Sequence, residues 1–168
     1  MLDADSFRRV FGTFPTPVAI VTARGEDGAP RGFTCNAFSA VSAAPPLLLV
    51  CVGKESRTLP AMLSSGAFAL NFVAHHGRGA ARLFAGKTPD KFAAVEWRPG
   101  WAGAPVLAQD AVGYAGCSLV RTEEAGDHLL VFGRVEESET FPGDATLYQR
   151  GEFGTWEPGA ARLAAPTA

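Results

Sequence analysis

Residues 32–52, GFTCNAFSAVSAAPPLLLVCV, set two kinds of strand on either side of a Pro-Pro break. The second part, Leu47–Val52, is a short apolar run bounded by Pro45-Pro46 and Gly53. That pattern predicts a strand buried on both faces. The first part alternates. Phe33, Cys35 and Ala37 fall on one face of an extended chain, and Thr34, Asn36 and Phe38 on the other. Thr and Asn shown beside a strand without polar side chains make a poor core. They suit the wall of a small-molecule site, where a few hydrogen-bonding groups sit on a rigid apolar surface.

Upstream, Asp3–Phe11 reads as a short helix. Asp3 or Asp5 is available as its cap, Phe7, Val10 and Phe11 share one side, and Gly12, Pro15 and Pro17 end it. Val18–Ala23 is a strand, and the Gly- and Pro-rich turn at 24–30 makes a hairpin into Arg31–Ser42. Downstream, GKESRT at 53–58 opens a short helix, Thr58–Ser65, which Gly66 stops. Ala67–Val73 is a strand with Asn71 opposite Phe68, Leu70 and Phe72. His75–Ala85 has helical spacing, TPDKF at 88–92 suits a turn, and Val95–Pro105 is irregular. Two long strands, Ala111–Thr122 and Leu129–Ser138, form a second hairpin across EEAGDH. Short pieces follow at Thr146–Tyr148 and Gly151–Trp156, and residues 157–168 read as a flexible tail. About six or seven strands, several joined by hairpins, predict a mainly β fold with short helices: an antiparallel sheet closed into a small barrel.

At 168 residues the chain fits a single domain, 1–168, with a core of about 7–156. A net charge of -2 gives no reason to expect nucleic acid or an acidic membrane surface. No apolar run reaches the roughly 18 residues of a membrane helix. The start, MLDADSFRRV, lacks the apolar core of a signal peptide. Cys35, Cys51 and Cys117 are odd in number and match no zinc or CxxC spacing, so they read as reduced, buried small residues in a cytoplasmic protein.

The side chains allow a restricted chemistry. Lys54, Ser56, Arg57 and Thr58 put two cations and two hydroxyls where a strand passes into a helix, which suits a phosphate or merely a solvated, capped loop. His75 and His76 are adjacent and cannot share a metal as an i, i+4 pair would; they read as solvated residues at a helix start, and no metal site is expected. His128 stands beside Asp127 in GDH, where the carboxylate can orient the ring; the plain alternative is a turn histidine next to a turn aspartate. There is no nucleophile elbow, Ser-His-Asp order, P-loop or dinucleotide glycine fingerprint. The acidic pairs lie in turns, and Trp97, Trp101 and Trp156 suit packing or an interface. A barrel of this kind binds a ligand or does redox chemistry through a bound cofactor.

The ordered series FRRVFGTFPTPVAIVTA, GFTCNAFSAVSAAPPLLLVCV, ESRT, GAFALNFV, LFAG, DKF, GAPVL and GDHLLVFGRV resembles the short-chain flavin reductase family, the reductase partners of two-component flavin monooxygenases. The resemblance spans about Phe7 to Trp156. It implies a split β-barrel, Greek-key in type, usually a homodimer. The implied activity is reduction of FMN, or alternatively FAD, by NADH or NADPH, with transfer of the reduced flavin to a separate oxygenase.

By the same resemblance Thr34, Cys35, Asn36 and Ala37 line the flavin ring, and Ser42 with Cys51, Val52 and Lys54 follows the ribityl chain. Ser56, Arg57 and Thr58 hold the phosphate, and Lys91 and Phe92 approach the phosphate or ring side. His128 faces the nicotinamide. The chain departs from the family pattern at Pro17, where Gly is usual, and at Ala37, where Ser is usual, which leaves only backbone groups at that ring contact. Hydride transfer between stacked rings needs no protein nucleophile, in keeping with the residues present. A non-catalytic flavin carrier on the same barrel is the alternative. An oxidase of a pyridoxine phosphate would need a second basic cluster.

Overall fold

A computed structural model describes residues 2–156; the tail expected at 157–168 lies outside the described residues. The chain runs α1 (Ala4–Phe11), β1 (Thr16–Pro17), β2 (Ala19–Arg24), β3 (Pro30–Cys35), β4 (Phe38–Ala43), β5 (Pro46–Gly53), α2 (Leu59–Ser65), β6 (Ala67–Val73) and α3 (Arg78–Ala85). A 3₁₀ turn at Lys91–Ala94 and the short pair β7 (Arg98–Pro99) and β8 (Pro105–Val106) lead to the long hairpin β9 (Ala111–Ala125) and β10 (His128–Thr140). β11 (Thr146–Gln149) and β12 (Glu152–Thr155) close the described chain.

Seven strands pair antiparallel in the order β3-β2-β6-β9-β10-β5-β4. The two edges, β3 and β4, are consecutive in sequence and separated only by Asn36 and Ala37. The sheet therefore curls until its edges meet at this link, and the Cys51 backbone N–H donates to Ala37 O at 2.8 Å, extending the β4–β5 ladder up to it. The interior is filled from nearly every wall by Val21, Cys35, Val50, Val52, Phe68, Leu70, Cys117 and Val131. Leu59, Ala61 and Met62 of α2 join the same cluster. Full burial of such side chains stabilises the fold by about 1.5–3 kcal/mol each.

Two sequence expectations change here. Arg31–Ser42 is not one strand: β3 stops at Cys35 and β4 starts at Phe38, so the alternation loses its phase over two residues. Phe38 consequently packs with Phe33 against the same core instead of facing the opposite way. Leu47–Val52 is not buried on both faces either. Leu48, Val50 and Val52 are buried while Leu47, Leu49 and Cys51 are half-buried, because the outer face of β5 is only partly covered.

Outside the barrel α3 packs on β2 and β3 through Ala80, Ala81 and Phe84 with Val18 and Ile20. Gly32 is required at this contact: a Cβ there would stand 2.9 Å from the Phe84 ring. Asn71 is buried with its amide fully used. Its Nδ2 donates toward Ile20 O, Thr22 Oγ1 and Pro105 O at 3.2–3.3 Å, and its Oδ1 accepts from Leu107 N at 2.8 Å. This pins the irregular segment after β7 to the sheet at little cost, since both polar atoms of the buried Asn71 amide are partnered. The long hairpin turns through Gly126 and Asp127 alone, so EEA belongs to the strand and not to the loop.

Candidate functional site

Ser56–Thr58 lies where β5 leaves the barrel and α2 begins. The turn is folded by Ser56 N–H donating to Gly53 O at 2.9 Å, and Ser56 Oγ accepts from Thr58 N–H at 3.3 Å. This loop forms one side of an open cleft of about 1000 Å³. The other sides come from Ala29–Phe33, from the end of α3 at Phe84–Ala85, and from the segment 86–93. Four cations line it: Arg31, Arg57, Lys87 and Lys91, against the carboxylates of Glu55 and Asp90.

Arg57 and Lys91 are positioned by carbonyl oxygens. Arg57 Nη2 donates to Lys87 O at 3.0 Å, and Lys91 Nζ donates to Phe84 O at 2.7 Å while lying 5.6 Å from the Phe84 ring centroid. Among the described residues neither has a carboxylate within 4.0 Å. Burial, and then the Arg57 guanidinium, holds the Lys91 amine below its ordinary pKa of 10.5. Two cations that repel each other and have only neutral partners are the electrostatic signature of an anion site. Phe92 stands edge-on to Phe84, with centroids 4.9 Å apart, and to Trp97 at 5.9 Å.

The residues expected to line a ring are elsewhere. Thr34 is turned toward α3, its Oγ1 donating to Ala81 O at 2.6 Å. Cys35 is buried, its thiol 3.6 Å from Ala37 O and 3.8 Å from Cys51 O, and burial pushes its pKa up to about 11. Burial also raises the Cys51 thiol, and Cys117 reaches about 12, so all three remain thiols at neutral pH. Asn36 and Ala37 are exposed at the seam, with Asn36 Nδ2 donating to Thr16 Oγ1 at 3.1 Å. Ser42 lines a second, apolar cleft of about 330 Å³ with Phe38, Leu70 and Phe72. Val52 is core.

Lys54 turns away from the first cleft. Its Nζ pairs with Glu124 at 3.1 Å, and its N–H donates to Asp127 O at 3.0 Å. His128 is half-buried beside it, opposite Gly53 in the β10–β5 ladder, with Nδ1 2.8 Å from Asp127 Oδ1. That hydrogen bond, reinforced by the imidazole charge, holds Asp127 below the usual carboxylate range. An ionised carboxylate only accepts, so Nδ1 carries the proton and Nε2 is the nitrogen left to meet a ligand.

The structure thus gathers Ser56, Arg57, Thr58, Lys91 and Phe92 in one cleft. It places Thr34, Cys35, Asn36, Ala37, Cys51, Val52, Lys54 and His128 outside both clefts. Sequence reasoning missed Arg31 and Lys87, which reach the cleft only because the start of β3 folds beside the end of α3. It also misplaced His75 as solvated: the residue is half-buried, and its Nδ1 is buried without a hydrogen-bond partner. No group of three His, Cys, Asp or Glu side chains among the described residues can hold a metal.

An antiparallel barrel closed at a short seam, with a cation-lined cleft at a strand-to-helix loop, defines a split-barrel protein with a candidate anion site. Residues 11–157 match the model of the flavin reductase like domain, and the chain belongs to that family. It is 40% identical over 159 residues to a flavin reductase (NADH) of Kitasatospora aureofaciens, covering 93% of this chain and 83% of that one. It is 36% identical over 160 residues to a flavin-dependent monooxygenase reductase subunit of Mycobacterium tuberculosis, covering 94% and 84%. Among solved structures, the NADH:FAD oxidoreductase of Streptomyces globisporus, in complex with NAD and FAD fragments, superposes with a TM-score of 0.88 at 38% identity, covering 95% of this chain and 96% of that one. The nitrilotriacetate monooxygenase component B homologue of Mycobacterium thermoresistibile gives 0.89 at 36%, covering 96% and 90%.

Proposed function

We propose that the protein is an NAD(P)H:flavin oxidoreductase that passes hydride from the nicotinamide to FMN or FAD and supplies the reduced flavin to a separate monooxygenase. The observation that carries this reading is the cleft at Ser56–Thr58, where Arg57 and Lys91 are held by carbonyls and left free for an anion. The names of the family relatives supply the ligand and the reaction. We take the chain to act as a single domain, 1–168, in the cytoplasm and as a homodimer.

The residues present fit a flavin phosphate. The Ser56 hydroxyl and the buried Thr58 supply short polar groups beside two cations, and Phe84 and Phe92 give the cleft an apolar floor. A bound flavin supplies the hydride acceptor. The chain supplies position: Arg57 and Lys91 fix the phosphate, Asn36 and Ala37 at the seam offer exposed polar backbone to the ring edge, and the neutral thiol of Cys35 packs beneath that link. His128, its tautomer set by Asp127, presents Nε2 toward the nicotinamide end and helps hold the two rings at a near-attack distance of roughly 3–3.5 Å. No proton need be taken from the donor carbon, so this chemistry requires no carboxylate general base.

The test is a steady-state assay that crosses NADH and NADPH with FMN, FAD and riboflavin. Flavin-stimulated oxidation of the nicotinamide is expected. Oxidation at background with all three flavins overturns the reading, and flavin binding without turnover assigns a carrier instead.

A further inference from the structure

We propose that α1 docks in the apolar cleft of a second copy of this chain, and that reciprocal exchange of the two helices about a two-fold axis forms the dimer. The inference rests on the homodimer taken above and names the surface that builds it.

The helix carries an apolar face with nothing packed on it. None of its residues is buried, and Phe7, Val10 and Phe11, with Phe14 just beyond and Leu2 just ahead, are each half exposed or more. Phe7 stacks on Phe11 with centroids 4.3 Å apart, and Phe14 stands edge-on to Phe11 at 6.3 Å, so the three rings form one ladder. The polar side chains are met within the helix: Arg8 pairs with Asp5 at 3.0 Å, and Arg9 Nη2 donates to Ser6 Oγ at 2.6 Å. Eight residues are fewer than the roughly 12–15 that a helix needs to stand alone in water, so α1 depends on packing of its apolar face. Its own chain grips only the residues after it. Gly12 O accepts from Arg150 N–H at 3.1 Å, and Thr13 O accepts from Gln149 Nε2 at 2.6 Å.

The cleft of about 330 Å³ on the seven-stranded sheet is the complementary feature. Phe38, Leu47, Leu48, Leu70, Phe72 and Val135 line it, and among the described residues no charged side chain does. It suits an uncharged, apolar occupant. Area decides between two ways of pairing the helices. Three half-exposed phenylalanines with Leu2 and Val10 leave roughly 400 Å² of apolar surface to cover on each helix. One α1 laid against the other would bury roughly 800 Å² in all, short of the about 1,200–2,000 Å² of a stable interface. Each α1 seated in the other copy's cleft covers both surfaces twice, roughly 1,600 Å² in all, which falls within that range. The exchange pairs the same two surfaces in both directions, so it closes at two chains and leaves no apolar helix face to extend the assembly.

Sedimentation velocity on the full chain tests this, with the wild type expected to be dimeric at micromolar concentration. Phe11→Glu on the helix and Ala40→Glu on the exposed lining of the cleft are each expected to weaken the dimer by about a hundredfold or more, since each puts a carboxylate into both apolar contacts. The two variants are then mixed. A mixed pair keeps one intact helix in one intact cleft, so the variants are expected to associate with each other at least about tenfold more tightly than either does with itself. Phe14→Glu and Ser39→Glu, at exposed positions of the same two surfaces, give the same comparison if either first variant misfolds. A dimer that survives the cleft substitution overturns the proposal, as does a mixture that stays monomeric. A monomeric wild type ends the homodimer reading as well. A dimer insensitive to both substitutions leaves that reading standing and ends only this one.

Discussion

The loop Gly53–Thr58 treats its two cations in opposite ways. Lys54 pairs with Glu124 on the long hairpin, and around it Arg121 pairs with Glu123 and His128 with Asp127. Three residues later Arg57 meets only the carbonyl of Lys87, and Lys91 only that of Phe84. A carboxylate partner both orients a cation and neutralises it. A carbonyl orients it and leaves its charge available. The hairpin end is therefore a self-satisfied surface, and the cleft is a surface completed by an anion from outside.

The largest effect should come from reversing the charge at the unsatisfied end. Arg57→Glu is expected to weaken flavin binding by about a hundredfold or more, since it removes a charge-assisted contact and adds repulsion of the phosphate; calorimetry measures this, and a change below threefold would remove Arg57 from the site. His128→Ala is expected to lower kcat/KM for the nicotinamide by about tenfold while leaving the flavin Kd unchanged. Loss of flavin binding in that variant would place the imidazole on the flavin instead.

The Lys91 amine gives a pH signature. Its pKa lies below 10.5 because of burial and Arg57, so its charge is lost earlier than that of an ordinary lysine as pH rises. Flavin affinity should fall by several-fold on titration from pH 7.5 toward 10, and Lys91→Arg should shift that fall to higher pH. The unliganded protein should respond with the opposite sign. Its unfolded chain holds the Lys91 proton more tightly, so this group's contribution to stability rises with pH over the same range. The smallest effect is expected at the satisfied end. Lys54→Ala should alter flavin Kd by less than about twofold, since an exposed pair contributes about 0–1 kcal/mol to stability and its charge is already neutralised.

The elements that the sequence made legible are those with local causes. Asp3 caps α1 with its carboxylate, Pro60 sits in the first turn of α2, and Gly66 ends that helix at φ 63°. The cations and hydroxyls of the GKESRT loop suited either a phosphate or a solvated, capped loop, and only the family resemblance gave Lys91 and Phe92 of DKF a role at the flavin. What escaped was whatever depends on the third dimension. The two-residue break at Asn36–Ala37 has no Gly or Pro to announce it, so the face on which Phe38 would lie was misread. Arg31 looked like a hairpin residue, and Lys87 like part of a turn; only the docking of α3 on β3, through Gly32 and Phe84, brings them to one cleft. The direction of Lys54 depended on how far β9 and β10 extend, which strand periodicity leaves open.

The seam also bears on how this chain tolerates change in length. β3 and β4 hand the polypeptide from one margin of the sheet to the other in two residues. Adding or deleting a single residue there would reverse which side chains of β4 face inward, turning Phe38 out of the core. The Gly126–Asp127 tip is exposed, and a change of length there turns no β4 side chain out of the core, but it moves Asp127 away from His128 and Lys54. A change of length at the seam therefore costs the core, and one at the hairpin tip costs the orientation of His128.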